Sequence, residues 1–190
     1  MVRNRARRIC ATALVLFLAP LATGAGEVIK SVVERRGEHF IVHSEVLIQV
    51  PESRVRAILT QYENLPQINP GIKAVQILTR RGNGRVRMRV VSEVCILVIC
   101  LDYAWVQEVR TLPDNDIEAV IDPAESSFKE GEARWRLVAE NGGTRLVFSA
   151  DLVPSFWFPP GIGPLIIKHK LAREVLETAL EVERLGQASP

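Results

Sequence analysis

The sequence predicts an α+β fold in which a curved antiparallel sheet of seven strands wraps a long C-terminal helix. Three observations lead there. Seven segments alternate apolar and polar residues with the period of two that marks half-buried strands. Tight-turn residues separate most of them, which makes the connections hairpins and the sheet antiparallel. The last segment, Leu165–Leu185, instead repeats its apolar residues at three-to-four spacing, as a helix lying on an apolar surface does. Sheet and helix each have one apolar side, and wrapping one around the other covers both.

Ahead of these elements the apolar run Ile9–Leu21 follows Arg3, Arg5, Arg7 and Arg8, and small residues fill Ala22–Gly26. Basic, apolar and small regions in that order form a secretory signal. The run is shorter than the roughly 20 residues a spanning helix needs. Residues 1–25 are therefore expected to be removed on export to the periplasm or the medium. Residues 26–36 then read as a lead-in, 37–186 as the domain and 187–190 as a tail. The signal holds four arginines and the first acid is Glu27, so its loss takes the formal charge from +2 to about −2. Nothing in that balance favours nucleic acid, whose binding needs a concentrated positive surface. About 165 residues remain, enough for one domain with a sizeable core.

The first expected strand, Gly37–Val50, sets Phe40, Val42, Ser44, Val46, Ile48 and Val50 on one face and His39, His43, Glu45 and Gln49 on the other. Pro51 opens a short helix over Glu52–Leu59, since proline suits a first helical turn. That helix should stop around Tyr62–Asn64, before Pro66 and Pro70. Strands follow at Ile72–Thr79, Arg85–Cys95, Cys100–Arg110, Ile117–Asp122, Phe128–Glu140 and Arg145–Val153. Asn83-Gly84 and Asn141-Gly142-Gly143 lie between strands and supply the positive φ values of tight hairpins. In the final helix Ile167, Leu171, Val175, Ala179 and Val182 make the stripe, widened by Ala172, Thr178 and Leu185. Glu174, Glu177, Glu181 and Glu183 are expected on the other side with Lys168, Lys170 and Arg173. Gly186 reads as the helix stop.

Cys95 and Cys100 have two readings. On one straight strand they would lie about 16 Å apart and face opposite ways, leaving two buried thiols. A chain reversal at Ile96–Ile99 would instead make them partners across a hairpin, and the oxidising exterior would keep a bridge. No histidine, aspartate or second cysteine pair stands at metal-ligand spacing, so no metal site is expected.

The element order, with Val50-Pro51-Glu52-Ser53-Arg54-Val55 running into Leu59-Thr60-Gln61-Tyr62-Glu63-Asn64-Leu65-Pro66, resembles the START-like (Bet v 1-like, SRPBCC) helix-grip superfamily. Its polyketide cyclase / coenzyme Q-binding branch is the nearest likeness. Trp135-Arg136-Leu137 and Gly142-Gly143-Thr144-Arg145-Leu146 add to it, and the resemblance runs from about Gly37 to Leu185. Gln61 departs from it, since many relatives carry Asp there. The resemblance implies a cavity between sheet and long helix that binds lipids, sterols, isoprenoids or aromatic compounds.

The residues agree independently. Alternation turns Val86, Met88, Val90 and Val94 inward, then Leu101, Tyr103 and Trp105, then Ala133, Trp135 and Leu137, then Leu146, Phe148, Ala150 and Leu152. Large rings mixed with alanines leave room for a ligand, or else interdigitate with the helix as a filled core. Tyr62, Met88, Tyr103, Trp105, Trp135, Phe148, Leu171 and Val175 are the expected ligand-binding residues. Phe156, Trp157 and Phe158 sit in a proline- and glycine-rich loop, where aromatics either cap the core as a lid or meet a ligand or a peripheral membrane surface. Arg85, Arg87 and Arg89 share an outer face, with Arg134, Arg136 and Arg145 expected near them. This is a solvated mixed-charge face or an anionic-headgroup patch.

No catalytic residues are assigned. His39 and His43 point away from the concave side, His169 lies among charged helix residues, and no nucleophile–base constellation or phosphate-binding loop is present. The inner faces read as almost wholly apolar, with Tyr62, Tyr103 and Ser44 as inward hydroxyls. The expected function is an exported, non-catalytic, cofactor-free carrier of a hydrophobic small molecule or lipid. Its rivals are a cyclase/dehydratase-like enzyme using Tyr62 or Tyr103, and an interaction module with a filled core.

Overall fold

The computed structural model describes residues 27–96, 99–155 and 163–188. Eight strands among them form one sheet: β1 (Glu27–Arg36), β2 (His39–Ile48), β3 (Ile72–Arg80), β4 (Val86–Ile96), β5 (Ile99–Thr111), β6 (Ile117–Asp122), β7 (Phe128–Glu140) and β8 (Gly143–Pro154). The helices are α1 (Glu52–Leu59), α2 (Leu65–Ile68) and α3 (Gly163–Ala188), with single 3-10 turns at Tyr62–Asn64 and Pro123–Glu125. The sheet order is β1-β2-β8-β7-β6-β5-β4-β3 and all neighbours are antiparallel. The long helix contacts β1, β2, β4, α1 and α2.

The sheet thus has eight strands where the sequence suggests seven. The extra one, β1, occupies the segment expected to be a lead-in. Val33 is the one buried residue in its ten, so the alternation that reveals a strand is missing. Its partner registers Arg36 opposite His39, and Gly37 turns the chain between them at φ +64°. A glycine at the first position of a two-residue loop is a hairpin signal. Asn141 and Gly142, both at positive φ, make the equivalent turn between β7 and β8.

Two helix boundaries also differ. Pro66 lies in the first turn of α2, where its missing N–H costs nothing, so it starts a helix rather than stopping one. Helix α3 passes through Gly186 to Ala188. A Cβ at Gly186 would sit 2.5 Å from Val50 Cγ1, so this glycine serves close approach and not termination. Glu183, expected among the exposed acids, is 2% exposed there. Its carboxylate accepts from the Gln49 backbone N–H at 3.3 Å and from Gln187 Nε2 at 3.1 Å. At the same corner Thr144 Oγ1 donates to the Val50 carbonyl at 2.6 Å.

The main core fills this end of the barrel with Val46, Ile48, Val50, Val55, Ile58, Met88, Ala179 and Val182. A smaller cluster of Val33, Val42 and Ala150 lies under the other half of α3. On the outside, arginines meet acids: Arg85 with Glu108 at 3.1 Å, Arg87 with Asp122 at 2.8 Å, Arg134 with Asp116 at 2.6 Å and Arg145 with Glu140 at 2.6 Å. That is the mixed-charge face, whose exposed pairs each add little stability.

Candidate functional site

A cavity of about 260 Å³ lies between the concave side of the sheet and α3. Strand alternation places Tyr103 and Trp105 of β5, Trp135 of β7 and Phe148 of β8 in its wall. Leu171 and Val175 close it from the helix, and Tyr62 from the 3-10 turn after α1. Tyr103 stacks on Trp105 with ring centroids 5.9 Å apart, and Phe128 meets both edge-on at 5.9 Å. Trp135 and Phe148 lie 5.1 Å apart. The Trp105 indole N–H donates to Gln107 Oε1 at 2.9 Å, which fixes that ring. Such offset and edge-on pairs favour rigid aromatic walls. The alanines Ala119, Ala133 and Ala150 supply the space between them.

Met88 is outside this wall. It points inward as alternation requires, but it belongs to the filled end of the barrel, where it is fully buried. Ser44 is also outside the wall, buried at the β1–β2 ladder with its hydroxyl 3.3 Å from that of Ser31. His39 Nδ1 lies 2.8 Å from Asp151 Oδ1, and His43 Nε2 3.2 Å from Glu45, both on the convex side. The bond to Asp151 is the chief reason the His39 pKa is raised. Cys95 and Cys100 face each other across β4 and β5 and are joined by a disulfide, the hairpin alternative of the two readings. Glu93 is close enough to form a ligand trio with these sulfurs, but the disulfide leaves no thiolate for a metal. The expected signal segment and the aromatic loop with Phe156, Trp157 and Phe158 lie outside the described residues.

The inner surface is less uniformly apolar than alternation suggests. Around Gly71 the cavity wall gathers Asn69, Ser92, Tyr103, Lys170 and Glu174, and Gln107, Glu132 and Thr178 add further polar groups to the lining. Ser92 donates its hydroxyl proton to the Gly71 carbonyl. Tyr103 is hydrogen-bonded to Ser92. Burial, only partly offset by that bond, pushes the Tyr103 pKa up to about 12, with the Glu174 charge adding to the rise. Tyr103 is therefore a neutral phenol at physiological pH. Tyr62 is likewise raised by burial. Glu174 lies against Gly71, where a Cβ would overlap its carboxylate. Lys170, one turn back, is its ion-pair partner.

Sequence patterning sets Lys170 and Glu174 opposite the apolar stripe, yet both reach the cavity. At about 100° per residue, Glu174 falls only about 60° from Leu171, within the wide arc a globular helix buries. A helical projection centred on Leu171 is the signal that finds it. Ser92 and Asn69 carry none, because hydroxyl and amide groups are ordinary in strands and loops. On the outer side of Lys170 and Glu174 an open groove runs between Pro70, Gly71, Cys95 and the first turns of α3.

Residues 48–180 match the family model described as polyketide cyclase / dehydrase and lipid transport. Comparison with curated proteins finds no match. Among solved structures, the chain is similar to TTHA0849 of Thermus thermophilus, at 21% identity and TM-score 0.64 over 78% of this chain and 99% of that one. The Zhui aromatase/cyclase of Streptomyces sp. R1128 is similar at 17% identity and TM-score 0.63, over 78% and 94%. A STAR-related lipid transfer protein of Xanthomonas axonopodis is similar at 12% identity and TM-score 0.63, over 86% and 99%. At these identities the structural likeness establishes a shared fold, a curved antiparallel sheet gripping a C-terminal helix.

Proposed function

The chain belongs to the polyketide cyclase / dehydrase and lipid transport family, and from that premise we propose that it is an exported carrier that holds a hydrophobic small molecule or lipid without converting it. One observation carries the reading: an aromatic-walled cavity remains open in a barrel whose other end is packed solid. Apolar ligand surface moved from water into such walls gains roughly 25 cal/mol per Å². The arginine-led apolar segment at Ile9–Leu21 supports export. So does the Cys95–Cys100 disulfide, which persists outside the reducing cytosol.

A second reading has one observation in its favour. Glu174, Lys170 and Tyr103 bring ionisable groups to the cavity, and a cyclase-like reaction needs an acid or base there. Against it stands the state of Tyr103, whose high pKa makes it a poor proton donor near neutral pH.

The test is to purify the protein from its native host and analyse the organic extract by mass spectrometry. A stoichiometric isoprenoid, sterol or other lipid is the expected result. An empty protein that also binds no member of a lipid and quinone panel would end the carrier reading. Turnover of an added poly-β-keto substrate would replace it with the cyclase.

A further inference from the structure

We propose that the protein forms a symmetric dimer in which β1 pairs antiparallel with β1 of a second copy, with the two-fold axis at Val32, so that the two sheets become one. This edge lies apart from the cavity, and the pairing does not depend on what the cavity holds.

Strand β1 is one edge of the sheet and β3 is the other. Among the described residues, none of the backbone hydrogen bonds made outside helices and strand ladders involves β1. An open edge offers its N–H and C=O groups to any strand laid beside it, and proteins blunt such edges with bulges, charges or a cover. The β3 edge is blunted, since its register shifts twice in nine residues, between Ile72 and Ala74 and between Ile77 and Thr79. The β1 ladder shifts once, between Val28 and Lys30, and then runs regularly from Lys30 to Arg36. Most of that run is exposed.

The hairpin sets the phase of the open side. Arg36 and His39 close the two-residue turn to β2, and such a closing pair exchanges both backbone hydrogen bonds. Alternation then gives Glu34, Val32 and Lys30 to β2 and turns the N–H and C=O of Ser31 and Val33 outward. Two copies can match these outward groups only if the two-fold axis passes through a residue rather than between residues. An axis at Lys30 or at Glu34 sets that charge against itself, and one at Val33 sets Lys30 against the partner's Arg36. An axis at Ser31 pairs no opposite charges. At Val32, Lys30 lies opposite the partner's Glu34, and the same pair recurs on the other side of the axis. Opposite charges facing each other across an antiparallel pair stabilise it and like charges destabilise it. Lys30, Val32 and Glu34 share the convex face, in register with Glu45, His43 and Ile41 of β2. Arg36 reaches Glu34 through Oε2, which leaves Oε1 for the partner's lysine. The charge pattern of β1 thus selects a second copy of itself, in one register.

The test is sedimentation equilibrium of the purified protein over a range of concentrations, with Lys30→Glu, Glu34→Lys and the double swap beside the parent. A mass of two chains is expected for the parent. Each single reversal sets like charges opposite each other twice and should weaken association about tenfold, and the double swap should restore it. A reversal that acted through the fold would not be restored. Val32→Cys supplies a second readout. Its two copies would meet at a non-hydrogen-bonded pair with Cα atoms about 4.5 Å apart, so mild oxidation should link them into a dimer on a non-reducing gel. The parent and Gln76→Cys, on the β3 edge, should stay unlinked. A mass of one chain at every concentration up to about 1 mM would overturn the dimer. A dimer indifferent to both reversals and unlinked in Val32→Cys would place the contact on another surface and overturn it equally. Linking of Gln76→Cys to the same extent as Val32→Cys would mean chance collision and remove the register.

Discussion

Along the inner stripe of α3, Ala179 and Val182 are 1% and 0% exposed, while Leu171 and Val175, two turns earlier, stay half-buried. Residue type does not explain the contrast, since both halves present small and branched aliphatic side chains. The opposing surface does. The later half meets α1 and the corner at Val50, where Val55, Ile58 and Met88 fill the space. The earlier half packs on Val33, Val42 and Ala150 and also borders the cavity walled by Trp105, Trp135 and Phe148. An amphipathic stripe therefore reports which side of a helix turns inward, and leaves open whether what it meets is solid or hollow.

The largest expected effect tests the solid end. Met88→Ala deletes a fully buried side chain and should cost about 3 kcal/mol in urea unfolding, with little change in the affinity for naphthalene, followed by quenching of tryptophan fluorescence. A cost under about 1 kcal/mol would mean that this end, too, is loosely filled. The hollow end should respond the other way. Leu171→Phe places extra volume in the cavity, so stability should stay within about 1 kcal/mol of the parent while affinity for naphthalene drops about tenfold. A large loss of stability with unchanged binding would erase the distinction between the halves. The smallest effect concerns the convex face. Hydrogen bonding to Asp151 raises the His39 pKa, so this bond stabilises the fold at pH values below the ordinary histidine pKa and its contribution fades as pH rises through the raised one. The urea midpoint should thus fall slightly between about pH 6 and 8, and His39→Gln should flatten that slope. An identical slope in the variant would place the pH dependence elsewhere.

Much of this was legible in the sequence. Strict alternation in β2 and β4, the Asn-Gly turn at Asn141 and the stripe of α3 specify the sheet and its helix, because each has a buried face and a polar one. The strand β1 was not legible, since an edge strand with one buried residue has no alternation to read. Of the site, the aromatic wall followed from strand alternation alone. The polar stretch of wall did not, because Ser92, Asn69 and Gly71 come from separate segments that only the folded chain brings beside Glu174. Gly186 shows the same limit, as glycine marks both helix ends and close contacts, and only Val50 tells which.

That contact at Gly186 makes the C-terminal end of α3 a fulcrum. The helix axis is pinned where it has no side chain to yield, and Glu183 ties it to the backbone of Gln49 one turn earlier. From Gly186 back to Gly163 the helix is a rigid arm of roughly 35 Å at 1.5 Å per residue. Each 10° of tilt about the pinned end would displace the other end by about 6 Å, the width of an aromatic ring. A small change of angle at the packed corner would therefore alter the cavity most at the end far from it.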